Sequence, residues 1–328
     1  MDPYGLFGQN RVGIYISAER EFKSSQVQRY PHDALVVGNS RMAMIPVADL
    51  KGFKFFNAGF GGGNAEEAYY FLHRFAHKQK LVILGVELGQ SDPPSPKGDI
   101  FAPPTLTSTL NNLLNVKTVE YSVKTIYNHF TGVPVTLRAD GSFDSKPWFD
   151  RWDKPDPAHL AFVVEKLGRG YWNYSASKFP MVYYTKIAEC LRERGITCVV
   201  VVPPIYEGVA SRLRDASAVA KYEAWRSRLR AIFPLVVDLS TSSYCAEENF
   251  FRDDPMHFKP EAGVRMLNTE VIPVAERAAK GRQPRERQHG YNWKAPLFQG
   301  YRSRNRRCCL NDSRSAADIS SWIACSSR

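Results

Sequence analysis

No stretch of this 328-residue chain approaches the ~18 consecutive apolar residues of a membrane-spanning helix, and no charged-then-apolar secretory leader opens it. Taken as written, the protein is expected to be soluble and to carry no export address. Cysteine is sparse: of six, Cys190, Cys198 and Cys245 are scattered through the main body and Cys308, Cys309 and Cys325 lie close to the end. None has metal-ligand spacing, so neither a metal nor a cofactor is expected. Cys190 and Cys198 flank a predicted helix end and strand start, which suits two buried thiols better than a disulfide. Acidic residues are scarce in residues 281–328, where ten Lys and Arg meet three Asp and Glu and supply +7 of the chain's net +11. That segment mixes Arg, Ser, Gly and Asn without sustained apolar periodicity, a composition that cannot bury enough surface to offset the entropy of ordering, and it reads as a disordered basic tail. Basic tails ordinarily stay solvated, so no nucleic-acid partner is expected even for Arg302-Ser303-Arg304-Asn305-Arg306-Arg307.

What the chain does contain is a series of short, largely apolar runs. Ala34–Val37, Phe53–Phe56, Leu81–Leu84, Cys198–Val202 and Leu235–Leu239 read as five core strands. Strands apolar on both faces belong to parallel sheets covered by helices on each side. Helical patterns lie between them at Asn64–His77, Met181–Arg194 and Ala216–Ile232, and Pro260–Ala279 supplies the last, with Pro260 suited to a first turn. The alternation predicts an open α/β sheet whose reactive groups gather at the carboxyl ends of the strands, where Ser40, Gly62, Glu87 and Pro203 fall. The piece between the third and fourth strands is too long for one crossover helix. We read residues 90–105 as a loop, Leu106–Phe130 as helical, and Gly132–Tyr174 as aromatic residues among turn formers: Trp148, Phe149, Trp152, Tyr171 and Trp172. Such an insertion either forms its own aromatic mini-core or offers ring faces for stacking sugars. Residues 1–32 form an N-terminal extension, 33–280 the α/β domain with an inserted subdomain at about 90–178, and 281–328 the basic tail.

Three side chains suggest chemistry. Gly38-Asn39-Ser40-Arg41 directly follows the first apolar run, and Asp254-Pro255-Met256-His257 lies near the end of the folded part. A serine becomes a useful nucleophile when a base takes its proton and a third group holds that base in the right tautomer, so Ser40, His257 and Asp254 form a minimal acyl-transfer set. His257 lies three positions after Asp254, so a turn folds the carboxylate onto one imidazole nitrogen while the other faces Ser40. Asp253 competes for the same role. A serine after a strand is also a common N-cap, and Arg41 either assists an anionic ligand or is simply solvated. Gly59, Gly61, Gly62 and Gly63 let backbone approach a substrate closely, with a helix beginning near Asn64 directing partial positive charge toward the same space. Asn64 is either the cap of that helix, which we prefer, or a side-chain amide donor.

The blocks, in this order, resemble the SGNH (GDSL-like) hydrolase superfamily from about residue 33 to residue 275. Gly38-Asn39-Ser40 stands for its Gly-x-Ser turn, Asn57-Ala58-Gly59-Phe60-Gly61-Gly62 for its Asn-x-Gly-x-x-Gly, and Asp254 with His257 for its Asp-x-x-His, followed by Gly263. The resemblance implies a flavodoxin-like three-layer α/β sandwich with a central five-stranded parallel sheet. It further implies Ser40 as nucleophile and the Ser40 and Gly62 N–H groups as oxyanion donors. The third block departs: the family has Gly-x-Asn-Asp, whose asparagine amide helps bind the oxyanion, and this chain reads Gly85-Val86-Glu87-Leu88. An ionised Glu87 cannot donate. It is a protonated acid, a ligand-binding carboxylate, or a residue pointing away from the site.

Within the superfamily the pattern looks closest to bacterial proteins with an SGNH-like domain after one N-terminal membrane helix, some associated with acylation of cell-surface polysaccharide. A phrase like Asp2-Pro3-Tyr4-Gly5-Leu6-Phe7 tends to follow that helix. The resemblance therefore implies a true start upstream of Met1, with membrane association and a periplasmic or cell-envelope location if a helix precedes it. The expected function is a serine-dependent esterase or O-acyltransferase on small-molecule or polysaccharide O-acyl groups. The rivals are a catalytically impaired glycan-binding or assembly protein on the same fold and an interaction protein working through its basic tail.

Overall fold

The computed structural model describes residues 19–87, 97–102, 116–131, 137–144, 156–172, 178–211 and 216–280. The expectations for the tail at 281–328, for most of the 90–105 loop, and for Trp148, Phe149, Trp152 and the side chains of Tyr171 and Trp172 lie outside them.

In chain order the elements are α1 (Glu19–Arg29), β1 (Ala34–Gly38), α2 (Ser40–Ala43), β2 (Phe55–Gly59), α3 (Ala65–Phe75) and β3 (Leu81–Gly85). The long connection holds α4 (Val116–Thr131), α5 (Pro157–Trp172) and α6 (Lys178–Glu193). There follow β4 (Thr197–Val202), α7 (Glu207–Ala210), α8 (Ala216–Ile232), β5 (Val236–Asp238), β6 (Phe250–Phe251) and β7 (Asp254–Phe258). Last come α9 (Pro260–Met266), a π-helical turn at Leu267–Val271, and α10 (Ile272–Ala279).

β1 to β5 form a five-stranded, all-parallel sheet in the order β2-β1-β3-β4-β5, the flavodoxin-like arrangement. Successive side chains point to opposite faces, and both faces are covered. Leu35, Val37, Val82, Leu84, Val200 and Val202 share one core with Phe71 and Leu72 of α3, Ile187 and Leu191 of α6, and Trp225 and Leu229 of α8. Ala34, Val36, Leu81, Ile83, Val199 and Val201 share the other with Met42 of α2, Val164 of α5, and Met266, Leu267, Val271 and Ile272 at the C-terminal end. No helix among the described residues is long and apolar enough to cross a membrane.

Several expectations shift. β2 runs Phe55–Gly59 rather than Phe53–Phe56, because the ladder with β1 continues past the apolar run and pairs Gly38 with Gly59. The C-terminal helix keeps its expected bounds, Pro260–Ala279, but includes a π turn at Leu267–Val271. The stretch expected to hold turns around its aromatics contains the sixteen-residue α5, whose Leu160, Val164 and Leu167 enter the second core at helical spacing. Part of the N-terminal extension is α1, which adds Val27 to the first core and packs Phe22 against Leu137.

Candidate active site

β1 ends at Gly38, and its last peptide leads directly into α2. Asn39 is the N-cap, its side-chain oxygen accepting from Arg41 N–H at 3.1 Å, so Ser40 is the first residue of the helix rather than its cap. At that position the Ser40 N–H has no carbonyl one turn earlier to bond. Glycine is required around this turn by close approach: a Cβ on Gly38 would stand 2.5 Å from Met42 Cγ, and one on Gly85 2.3 Å from the same atom. Met42 is wholly buried between the two strand ends. Asn57, also wholly buried, ties β2 to this turn. Its Nδ2 donates to Met42 and Ile45 carbonyls at 2.9 Å each and to Ala43 at 3.3 Å, while its Oδ1 accepts from Gly59 N–H at 2.9 Å. The asparagine of the glycine block thus holds the carbonyl end of the helix that begins with Ser40.

β6 and β7 form an antiparallel hairpin, and Asp254 and His257 are borne on β7 rather than on a free turn. Asp254 Oδ1 accepts from the backbone N–H groups of Met256 at 2.9 Å and His257 at 3.3 Å. Its Oδ2 lies 2.6 Å from His257 Nδ1, and His257 Nε2 lies 2.8 Å from Ser40 Oγ, across 217 positions of sequence. Burial opposes ionisation of Asp254, but His257 and the two backbone N–H groups outweigh it and hold the carboxyl below its ordinary value of 3.8. An ionised carboxylate only accepts, so Nδ1 carries the proton, Nε2 accepts, and the Ser40 hydroxyl donates. Asp253, the competing partner, does not take this place. Its Oδ1 is buried without a hydrogen-bond partner, and burial pushes its carboxyl up.

The glycine turn lies against the Ser40 turn. Phe60 N–H donates to Gly38 C=O at 2.9 Å, and a Cβ on Gly63 would stand 2.9 Å from the same oxygen. Gly62 has φ +63°, a left-handed conformation that favours glycine, and a Cβ there would meet nothing within 4 Å. Asn64 caps α3, accepting from Glu67 N–H at 3.0 Å.

Glu87 follows β3 and turns toward Arg41, whose Nη1 lies 3.4 Å from Glu87 Oε1. The reading of Arg41 as solvated is corrected: it is 4% exposed, donates through Nη2 to Pro204 C=O, and stacks its guanidinium 5.2 Å from the centre of the Phe258 ring. The negative charge at the third-block position is therefore met by a buried positive one.

Cys190, Cys198 and Cys245 are free thiols, with Cys198 only partly buried rather than fully so. Desolvation raises all three, Cys245 to about 11 and Cys198 to about 12, which keeps them protonated near neutrality and unsuited to nucleophilic attack. Among the described residues no three His, Cys, Asp or Glu side chains gather as metal ligands.

The sequence reading missed Glu19, Arg20 and Lys23 of α1, which grip the glycine turn from behind. Glu19 Oε2 accepts from Gly61 N–H at 2.8 Å, Arg20 Nη2 donates to Gly61 C=O at 3.1 Å, and Lys23 Nζ donates to Gly59 C=O. The only signal was the i,i+4 spacing of Glu19 and Lys23, which is common on exposed helices. The combination can move a proton off a hydroxyl and hold the resulting imidazolium beside a carboxylate. No protein-family model matches this chain, and no curated protein matches it either.

Proposed function

We propose that this protein is a serine-dependent ester hydrolase or O-acyltransferase. The observation that carries the reading is the unbroken relay Ser40 Oγ, His257 Nε2, His257 Nδ1, Asp254 Oδ2, with links of 2.8 and 2.6 Å. In the first half-reaction Ser40 Oγ bonds to the ester carbonyl carbon while its proton passes to His257 Nε2. Asp254 stabilises the imidazolium without taking the proton. The tetrahedral intermediate collapses as His257 gives that proton to the departing alcohol oxygen, leaving an acyl-Ser40 ester. Water, or a hydroxyl of an acceptor, then attacks that ester with His257 again as base, which restores Ser40 and releases acid or transferred ester. The Ser40 N–H and, from the resemblance to SGNH hydrolases, the Gly62 N–H receive the oxyanion. Carbohydrate O-acyl groups are the preferred substrate class, on that same resemblance.

A second reading rests on Glu87. A carboxylate where the family has an amide donor favours a catalytically impaired, glycan-binding protein on the same fold, although Arg41 offsets its charge. Hydrolysis of p-nitrophenyl acetate separates the two. The enzyme reading expects turnover that falls by about 10⁴-fold or more in Ser40→Ala and in His257→Ala. Equal rates in wild type and both variants sink it.

A further inference from the structure

We propose that Arg20 is a positioning residue for the acyl-transfer reaction, aiming the Gly62 N–H into the oxyanion site from behind the glycine turn. The inference rests on the acyl-transfer reading of Ser40. Gly61 C=O and Gly62 N–H belong to one planar trans peptide, and the described residues contain no cis bond, so the two groups point in opposite directions. Arg20 Nη2 holds that carbonyl on the α1 side at 3.1 Å, which turns the Gly62 N–H away from α1. Gly62 is exposed there, facing open space.

The preceding peptide is fixed in the same manner. Gly61 N–H donates to Glu19 Oε2 at 2.8 Å, so Phe60 C=O points the other way and accepts Gly63 N–H at 2.9 Å. Arg20 is itself held as a fork: its Nε donates to Glu67 Oε1 and its Nη2 to Glu67 Oε2, both at 2.9 Å, with the guanidinium 5.5 Å from the Phe60 ring centre. Glu67 stands in the first turn of α3, the helix that follows the glycine turn. Four glycines in five residues would otherwise leave this backbone a wide choice of conformations. Restraint from one helix makes the donor ready before substrate arrives, the condition under which an oxyanion contact accelerates a reaction.

The test uses the full chain with p-nitrophenyl acetate, and ¹⁵N-glycine labelling to follow the Gly62 amide. Losing an oxyanion donor outright costs about 10²–10³ in kcat, so misaiming one through Arg20→Met is expected to cost about ten- to a hundredfold in kcat, with KM changed by less than about twofold. Arg20→Lys keeps the charge beside Phe60 but not the fork to Glu67, and is expected to fall between. The Gly62 amide resonance moves in both variants. A kcat within about twofold of wild type in folded Arg20→Lys and Arg20→Met overturns the proposal. Wild type without Ser40-dependent turnover instead removes the enzyme reading, and an unmoved Gly62 resonance in Arg20→Met then overturns the positioning role by itself.

Discussion

Two largely buried charge clusters, one beneath the glycine turn and one at the strand ends beside the Ser40 turn, are built to different standards. Beneath the glycine turn, Lys23 Nζ meets Glu19 Oε1 at 2.9 Å, Glu19 Oε2 meets Gly61 N–H at 2.8 Å, and Arg20 meets both oxygens of Glu67. At the ends of β1 and β3, Arg41 and Glu87 approach only to 3.4 Å, and Arg41 Nε and Glu87 Oε1 are buried without hydrogen bonds. Desolvating two charges costs several kcal/mol per ion, and only close geometry with the remaining donors and acceptors satisfied offsets it. The first cluster comes closer to that condition, although burial still pushes the Lys23 ammonium below its ordinary value despite Glu19, and it serves as the mount of the glycine turn. The second falls short, so as a pair it adds little net stability, and what it presents beside the Ser40 turn is a carboxylate largely offset by a guanidinium.

The sharpest way to break this contrast is to remove Lys23, which is fully buried. Lys23→Met leaves Glu19 ionised without its cation, a change expected to cost about 3–5 kcal/mol in urea unfolding. Adding Glu19→Gln removes the unpaired charge while keeping an acceptor for Gly61 N–H, and should recover more than half of that loss. A cost for Lys23→Met under about 1 kcal/mol would place the α1 cluster in the same class as the Arg41 pair.

These clusters also mark where sequence reasoning succeeds and fails. The five strands are legible because each lies on a short, largely apolar run, and Ser40, Asp254 and His257 are legible because the hydroxyl follows one such run and the other two lie three apart. α1 is not. Its sequence, Glu19-Arg20-Glu21-Phe22-Lys23-Ser24-Ser25-Gln26-Val27-Gln28-Arg29, has apolar side chains only at Phe22 and Val27, so it has no wide apolar stripe. Its burial depends on carbonyls and carboxylates some forty residues away in the chain. Arg41 is hidden for the same reason, since Pro204 and Phe258 reach it only through the fold. β2 runs past its apolar stretch because Asn57 and Gly59, polar or small, belong to the strand on account of the β1 ladder and not of their hydropathy.

Asp254 and His257 provide an intermediate standard, a close pair with backbone support. A carboxyl held below its ordinary 3.8 contributes stability that is fully present above that value and is lost as pH falls through the lower folded value. The stability difference between wild type and Asp254→Asn is therefore expected to shrink as pH is lowered below 3.8. Thermal unfolding followed from about pH 6 to about pH 3 measures it. A difference that stays constant across that range would show that the carboxylate is no better held in the fold than in the unfolded chain.

The smallest effect is expected from Glu87→Gln, and its smallness is informative. Arg41→Met should cost about 1–3 kcal/mol, because it strips the partly buried Glu87 carboxylate of its cation and Pro204 C=O of its donor. Glu87→Gln leaves Arg41 bonded to Pro204 and stacked on Phe258, so its cost should fall below that of Arg41→Met. The coupling between the two, read from the double mutant, should also fall below about 1 kcal/mol, in contrast to the Glu19–Lys23 pair. In the enzyme reading Glu87→Gln exchanges an acceptor for an amide able to donate. Because Arg41 already offsets the carboxylate and draws it toward the β3 and β4 ends, kcat should change by less than about threefold, far below the value of a true oxyanion donor. A rise of ten- to a hundredfold instead would mean that Glu87 faces the reacting carbonyl and restrains an otherwise competent site, and the contrast between mount and modulator would have to be drawn through Glu87 itself.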